Sequence, residues 1–306
     1  MIVRWGLDAL PVVLRGRRAF LLATERWDAP VDVVGRWSEL PTERAIDVGD
    51  AEVVLALGGG STMDTAKRVS AQSGLPLVSV PTTYSGSEWT QYFGVRDADR
   101  RLRGGGGGAH NEAIVYDVEL TLGMPRSVSG GTALNALAHA CEALYVKGRD
   151  PAADPVALEA ARLISEALPR VLDDGSDDRA ARAALLRGAA KAGEALARSG
   201  LALAHAMAQA IGGRYGLPHG ALNAICLSPA LRFNEEFVPA ELLGGHAVER
   251  AEELAHLAGF TTLSALGVPE EDLPELAATA ASRTGAHANP RPASADDVLA
   301  LLSSVF

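Results

Sequence analysis

Leu55-Ala56-Leu57 runs straight into Gly58-Gly59-Gly60, and a helix-like pattern follows through Ser61-Thr62-Met63-Asp64-Thr65-Ala66-Lys67. An apolar strand that ends on three glycines and re-enters as a helix restricts the chain to folds with a strand–turn–helix unit. Glycine lets the backbone turn sharply and lets a large anion approach it closely. The amides that open the next helix then face that anion. The turn reads as a seat for a diphosphate, foremost that of a dinucleotide. It is not G-x-G-x-x-G and lacks the G-K-S ending of a phosphate-binding loop. A bare strand-to-helix turn is the competing reading of this segment alone.

Short apolar runs surround the unit. Strands are expected at 19–23, 31–34, 53–57, 77–80, 92–95 and 113–116, with a helix at 64–72. Strands alternating with helices point to a parallel sheet covered by helices. The stretch before Gly58 is short for a complete dinucleotide-binding fold, so this α/β part is expected to be abbreviated. Five consecutive glycines, 104–108, follow Arg100, Arg101 and Arg103. They lose much backbone entropy on ordering, so no stable regular element is expected there. A mobile lid and a tolerated surface insertion are equally good readings.

After about Leu122 the character changes. Alanine- and leucine-rich segments at 133–146, 155–172, 179–199, 202–211, 247–258 and 272–283 carry polar residues at helical spacing. A short last helix is expected at 296–306, with Ser294 or Asp296 near its start. The expected architecture is an α/β domain over 1–122 and an all-helical domain over 123–306. Residues 173–178 read as an acidic loop that needs no function.

With 306 residues and 48% hydrophobic content, the chain can bury a sizeable core. A net charge of -10 disfavours nucleic acid, whose phosphates reward a positive surface. Cys141 and Cys226 each lie in apolar context and read as buried thiols. The first twenty residues are interrupted by Arg4, Asp8 and Arg15, unlike a secretory signal. No apolar run is long enough to span a bilayer. The expectation is a soluble cytoplasmic protein without nucleic-acid or membrane partners.

Asn135 and His139, four apart, share one helix face. His205 lies on another helix, and His219 follows Leu217-Pro218 at a turn. Imidazoles with a carboxylate suit zinc or ferrous iron, but Asn135 is a weak neutral ligand. Glu142 could instead anchor its helix through hydrogen bonds. Spacing leaves three readings: a metal site of His139, His205 and His219 with Asn135, a polar metal-free catalytic pocket, or independent structural histidines. Pro81-Thr82-Thr83-Tyr84-Ser85-Gly86-Ser87-Glu88 follows the 77–80 strand. Hydroxyls and a glycine at a strand's carboxyl end suit ligand binding in an open α/β sheet. Thr82 and Thr83 suit a cofactor amide or ribose, and Tyr84 a phenol or stacking face. A capping turn is the alternative.

Taken together, these segments resemble the group III, iron-containing alcohol dehydrogenase family, and within it the maleylacetate reductase branch. The resemblance rests on Gly58-Gly59-Gly60-Ser61 with Asp64 and Lys67, and on Pro81 through Glu88. It continues through Asn135-Ala136-Leu137-Ala138-His139-Ala140-Cys141-Glu142-Ala143-Leu144-Tyr145, Gly216-Leu217-Pro218-His219 and Asn289-Pro290-Arg291-Pro292, in the family's order. It implies a dehydroquinate synthase-like architecture: an NAD(P)-binding α/β domain, a helical domain, a pocket between them, and dimers. By the resemblance, Gly58, Gly59, Gly60 and Ser61 form the diphosphate site. Thr82 and Thr83 flank the cofactor, and Asp64 lies near its nicotinamide end. Metal-dependent relatives bind metal at positions matching Asn135, His139, His205 and His219, with Asp at the first. Maleylacetate reductases carry Asn there and work without a required metal. Gln209 replaces a cleft histidine usual four residues after His205, and glutamine cannot relay a proton by changing charge. The segment between Arg4-Trp5-Gly6 and Ala51 is shorter than the family's.

The leading expectation is an NAD(P)H-dependent reductase of a small carbonyl or activated-alkene substrate. The resemblance supplies maleylacetate, a carboxylate, as the candidate. His205 or His139 would donate or orient a proton. Tyr84 and His219 would stabilise developing negative charge. NAD(H) or NADP(H) is the expected cofactor, with no metal required, and a homodimer is the expected assembly. Two alternatives are a metal-dependent alcohol dehydrogenase, and a non-redox enzyme or ligand-binding pseudoenzyme on the same fold.

Overall fold

A computed structural model of the chain describes residues 1–173 and 178–306. Residues 174–177, most of the expected acidic loop, lie outside the described residues. The chain divides into two compact units, Met1–Leu122 and Gly123–Phe306.

The strands of the first unit are β1 (Ile2–Trp5), β2 (Ala19–Leu22), β3 (Val33–Trp37), β4 (Val53–Gly58), β5 (Pro76–Pro81), β6 (Phe93–Arg96), β7 (Leu102–Gly106) and β8 (His110–Tyr116). Six of them form one parallel sheet in the order β1-β8-β5-β4-β2-β3. Val53, Leu55 and Leu57 join Leu21, Val78 and Val80 in the core on one face. Val54 and Ala56 meet Leu22, Leu77 and the Met63, Ala66 and Val69 side of helix α2 (Gly60–Ser73) on the other. Burial on both faces is why β4 reads as an unbroken apolar run. Helix α1 (Leu10–Leu14) is short, and no helix forms among the described residues between β2 and β4. Strand β3 lies further along than the 31–34 expectation. Its register is set by Ala19–Leu22 of β2, and Val31 packs on the core just before it.

The glycine run departs from its expectation. Residues 104–106 are part of β7, which pairs antiparallel with β6. Cross-strand bonds and aromatic cover offset the entropy of ordering. A Cβ on Gly106 would stand 2.8 Å from the Phe93 ring, and one on Gly107 would stand 3.0 Å from the Tyr92 ring. Rings lying over strand glycines shield backbone that would otherwise be bare. Residues 104–106 thus lie in a β-ribbon, not in irregular chain.

The second unit is helical: α3 (Arg126–Ala143), α4 (Asp154–Val171), α5 (Arg179–Ser199), α6 (Leu203–Tyr215), α7 (His219–Phe233), α8 (Ala247–Leu257), α9 (Leu273–Ala281), α10 (Thr284–His287) and α11 (Ala295–Ser303). Helix α3 is buried nearly all round and packs against α4, α5 and α7. Ser294 and Asp297 form a capping box at the start of α11. Helix α7 corrects the expectation that His219 sits at a turn, because His219 opens a 15-residue helix. Pro218 and Pro229 look like breakers in sequence, yet Pro218 caps the helix and Pro229 lies inside it. At the crossing of α3 and α7 a Cβ on Gly220 would lie 2.3 Å from the Gly131 carbonyl oxygen. Only glycine permits that backbone-to-backbone approach. It brings the first turn of α7 onto the Asn135 turn of α3. Among the described residues no helix is long and apolar enough to cross a membrane.

Candidate active site

In the first unit two expected segments meet at the carboxyl edge of the sheet. Gly58 and Pro81 are in register across β4 and β5, and the Thr82 amide donates to the Gly58 carbonyl at 3.0 Å. Gly59 is the N-cap of α2, and no side chain caps that end. The three glycines have different reasons. A Cβ on Gly58 would lie 2.3 Å from Thr62 Oγ1, and one on Gly59 would lie 3.0 Å from Thr83 Cγ2. One on Gly60 would meet only Ser85, at an ordinary 3.8 Å. Gly59, Gly60 and Ser61 are half-buried rather than sealed. Thr83 Oγ1 is buried without a hydrogen-bond partner. An uncapped helix start beside an unspent hydroxyl fits an oxygen-rich ligand.

Asp64 is engaged within this unit. Its carboxylate accepts from Ser87 Oγ at 3.1 Å and the Gly94 amide at 3.3 Å, and it pairs with Lys67 Nζ at 3.0 Å. Lys67 is buried and also donates to the Ser87 and Tyr92 carbonyls. The pair therefore ties the loop after β5 and the ribbon to α2. Tyr84 is fully buried, and Thr82 is buried.

In the second unit Asn135, His139, His205 and His219 converge. The His139 and His205 rings stack at 4.7 Å with 13° between planes. The His219 ring lies 5.7 Å from His205, tilted by 55°. Glu142, fully buried on α3, accepts His205 Nδ1–H at 2.7 Å. It also accepts the Ala202, Ala204 and His205 amides at 2.9, 2.6 and 3.3 Å. One carboxylate from α3 thus caps the start of α6 and fixes the His205 ring, with Nε2 buried and unpartnered. The helix start contributes partial positive charge that favours the anion there.

Asn223, one turn into α7, donates to Asn135 Oδ1 at 2.7 Å and stands 3.0 Å from His219 Nε2. An amide nitrogen has no lone pair to give, so His219 Nε2 accepts and its proton sits on Nδ1. The signal for Asn223 is its i+4 step from His219, which means something only once α7 is known. His139 has Nδ1 buried without a partner and Nε2 3.5 Å from Asn135 Nδ2. Burial, and then the His205 and His219 rings, push its pKa well below the usual histidine value.

That depression has a sign. The unfolded chain takes up a proton at His139 near pH 6.5, while the native chain does not. Stability should therefore fall as pH drops below about 6.5. Urea midpoints at about pH 8 and 5.5 should differ more in wild type than in His139→Asn. Equal differences would contradict a neutral buried ring.

Residues 130–306 match the Fe-containing alcohol dehydrogenase family, C-terminal, and residues 36–108 match iron-containing alcohol dehydrogenase. The maleylacetate reductase of Rhizobium sp. (strain MTP-10005) is 36% identical over 98% of this chain and 85% of its own length. The chain belongs to the iron-containing alcohol dehydrogenase family. Similar folds occur in crystal structures of two family members. Maleylacetate reductase from Agrobacterium tumefaciens has a TM-score of 0.88 at 30% identity, over 100% of this chain and 95% of that one. An iron-containing alcohol dehydrogenase from Corynebacterium glutamicum has 0.89 at 26%, over 100% and 94%.

The metal that gives the family its name does not fit the donors present here. Asn135 brings no negative charge, and its oxygen is taken by Asn223. His219 Nε2 faces an amide N–H instead of open space. The nearby carboxylate, Glu142, is spent on three amides and His205 Nδ1. Among the described residues no three His, Cys, Asp or Glu side chains are grouped so as to hold a metal ion.

Proposed function

We propose that this family member is an NAD(P)H-dependent reductase of a small carbonyl or activated-alkene substrate, with maleylacetate the leading candidate. The observation that carries the reading is His205, a buried imidazole locked by Glu142 at Nδ1 and unspent at Nε2. A ring held this way is built to move one proton at one atom. The architecture is read as dehydroquinate synthase-like, working as a homodimer. The cofactor's diphosphate is assigned to Gly58, Gly59, Gly60 and Ser61, with Thr82, Thr83 and Asp64 on the same unit.

The nicotinamide supplies hydride when bound. His205 delivers a proton from Nε2, so that substrate gains one hydride and one proton. Glu142 stabilises the imidazolium before transfer and holds the neutral ring in one tautomer afterwards. The stacked His139 stays neutral, which leaves His205 the proton carrier of the pair. His219, with its proton on Nδ1, is assigned to stabilising negative charge that develops on a carbonyl oxygen. Electrophilic help from this side chain takes the place of a metal ion.

Gly60→Val tests the nucleotide seat. Gly59→Val would press on Thr83 before any ligand arrived, whereas Gly60 has ordinary room. Affinity for NADH or NADPH should fall at least about tenfold, roughly 1.4 kcal/mol, by calorimetry on protein with wild-type circular dichroism. Unchanged affinity, or a wild type that binds neither nucleotide, would overturn the assignment.

A further inference from the structure

Arg283 lies between α9 and α10 and is half-buried. Its Nε is buried without a hydrogen-bond partner. Its Nη1 reaches Gln209 Oε1 only at 3.5 Å, the outer limit of a hydrogen bond. Other arginines of the second unit are spent differently. Arg214 pairs with Asp272 and Glu275, Arg232 with Glu252, and Arg250 with Glu253. Arg283 has no carboxylate partner among the described residues. Burial lowers its pKa, and no acidic neighbour offsets that.

The place of this cation is set by packing. A Cβ on Gly285 would lie 2.5 Å from the Ala202 carbonyl oxygen, so the start of α10 rests on the start of α6. The amide of that same Ala202 is held by Glu142. Gln209 is four residues after His205 and on its face of α6. It is half-buried, while the helix residues from Leu203 to Ala208 are all buried. Gln209, whose side-chain oxygen Arg283 Nη1 reaches, is one helical turn, about 6 Å along the axis, beyond His205 on α6. That is the span of a short carbon chain.

We propose that Arg283 binds a carboxylate of the substrate and, with Gln209 beside it, sets the reacting carbons against His205 Nε2. The guanidinium fork matches a carboxylate with two parallel hydrogen bonds. An incoming anion would also supply the counter-charge that Arg283 has no partner for among the described residues. In this account Gln209 is an amide that steadies the fork rather than a group that relays protons. The proposal takes its chemistry from the reductase reading, but anion binding can be measured without turnover.

Calorimetry of maleylacetate with wild type, Arg283→Met and Arg283→Lys, each checked by circular dichroism, is the test. Wild type should bind, and Arg283→Met should bind at least about thirty-fold more weakly. Arg283→Lys keeps the charge without the fork and should fall between them. In the NADH assay Arg283→Met should raise KM for maleylacetate by a similar factor. It should change KM for an uncharged enone of similar length less than about threefold. Equal binding by wild type and Arg283→Met, or equal KM changes for both substrates, would overturn the proposal. So would a wild type that does not bind maleylacetate. A wild type that binds it through Arg283 yet never oxidises NADH would retain this proposal and sink the reductase reading.

Discussion

His205→Ala is expected to lower kcat by roughly 10²- to 10⁴-fold, or about 3 to 5 kcal/mol of transition-state stabilisation, with nucleotide affinity nearly unchanged. The variant loses an imidazole whose Nδ1 is fixed and whose Nε2 is unspent. Steady-state kinetics beside nucleotide calorimetry separates the two effects. A folded variant with near-wild-type kcat would remove His205 from the proton step.

Glu142 should show the second large effect, and its two variants should differ. Glu142→Ala leaves the Ala202 and Ala204 amides and His205 Nδ1 without the acceptor they share. Breaking such a buried set from one side costs about 3 to 5 kcal/mol, read as a lower urea midpoint. Glu142→Gln keeps the shape and an acceptor oxygen but no negative charge. The imidazolium form of His205 then loses its counter-charge. Stability should fall less, while kcat falls by up to about 10⁴-fold and the pH–rate profile shifts. Combining it with His205→Ala should add little, because the two act as one unit. Additive losses would show that Glu142 matters only as a helix cap.

Much of this was legible in the sequence because local rules and tertiary context agree. The β4 run, the glycine turn and α5 announce themselves by apolar pattern, glycine placement and helical spacing. Helix α7 does not, because a helix buried nearly all round has no polar stripe, and its two prolines mimic a boundary. Missing α7 hides Asn223, and with it the proton position on His219. The glycine run misleads for the opposite reason. Its stability comes from Tyr92, Phe93 and a partner strand, none of which a local entropy argument includes. Glu142 is legible as a hydrogen-bonding anchor, but that it serves the start of α6 and His205 Nδ1 rather than its own helix depends on where α6 begins. Arg283 looks like any surface arginine until its lack of a partner and its contact with Gln209 are seen.

Metal-free, nicotinamide-dependent reduction through His205 is tested by NADH or NADPH oxidation by chelator-treated protein on addition of maleylacetate, followed through loss of the reduced-nicotinamide absorbance. Turnover is expected that added zinc or ferrous iron does not raise and that His205→Ala nearly abolishes. Folded protein that oxidises neither nucleotide, or does so only after metal is restored, would contradict it.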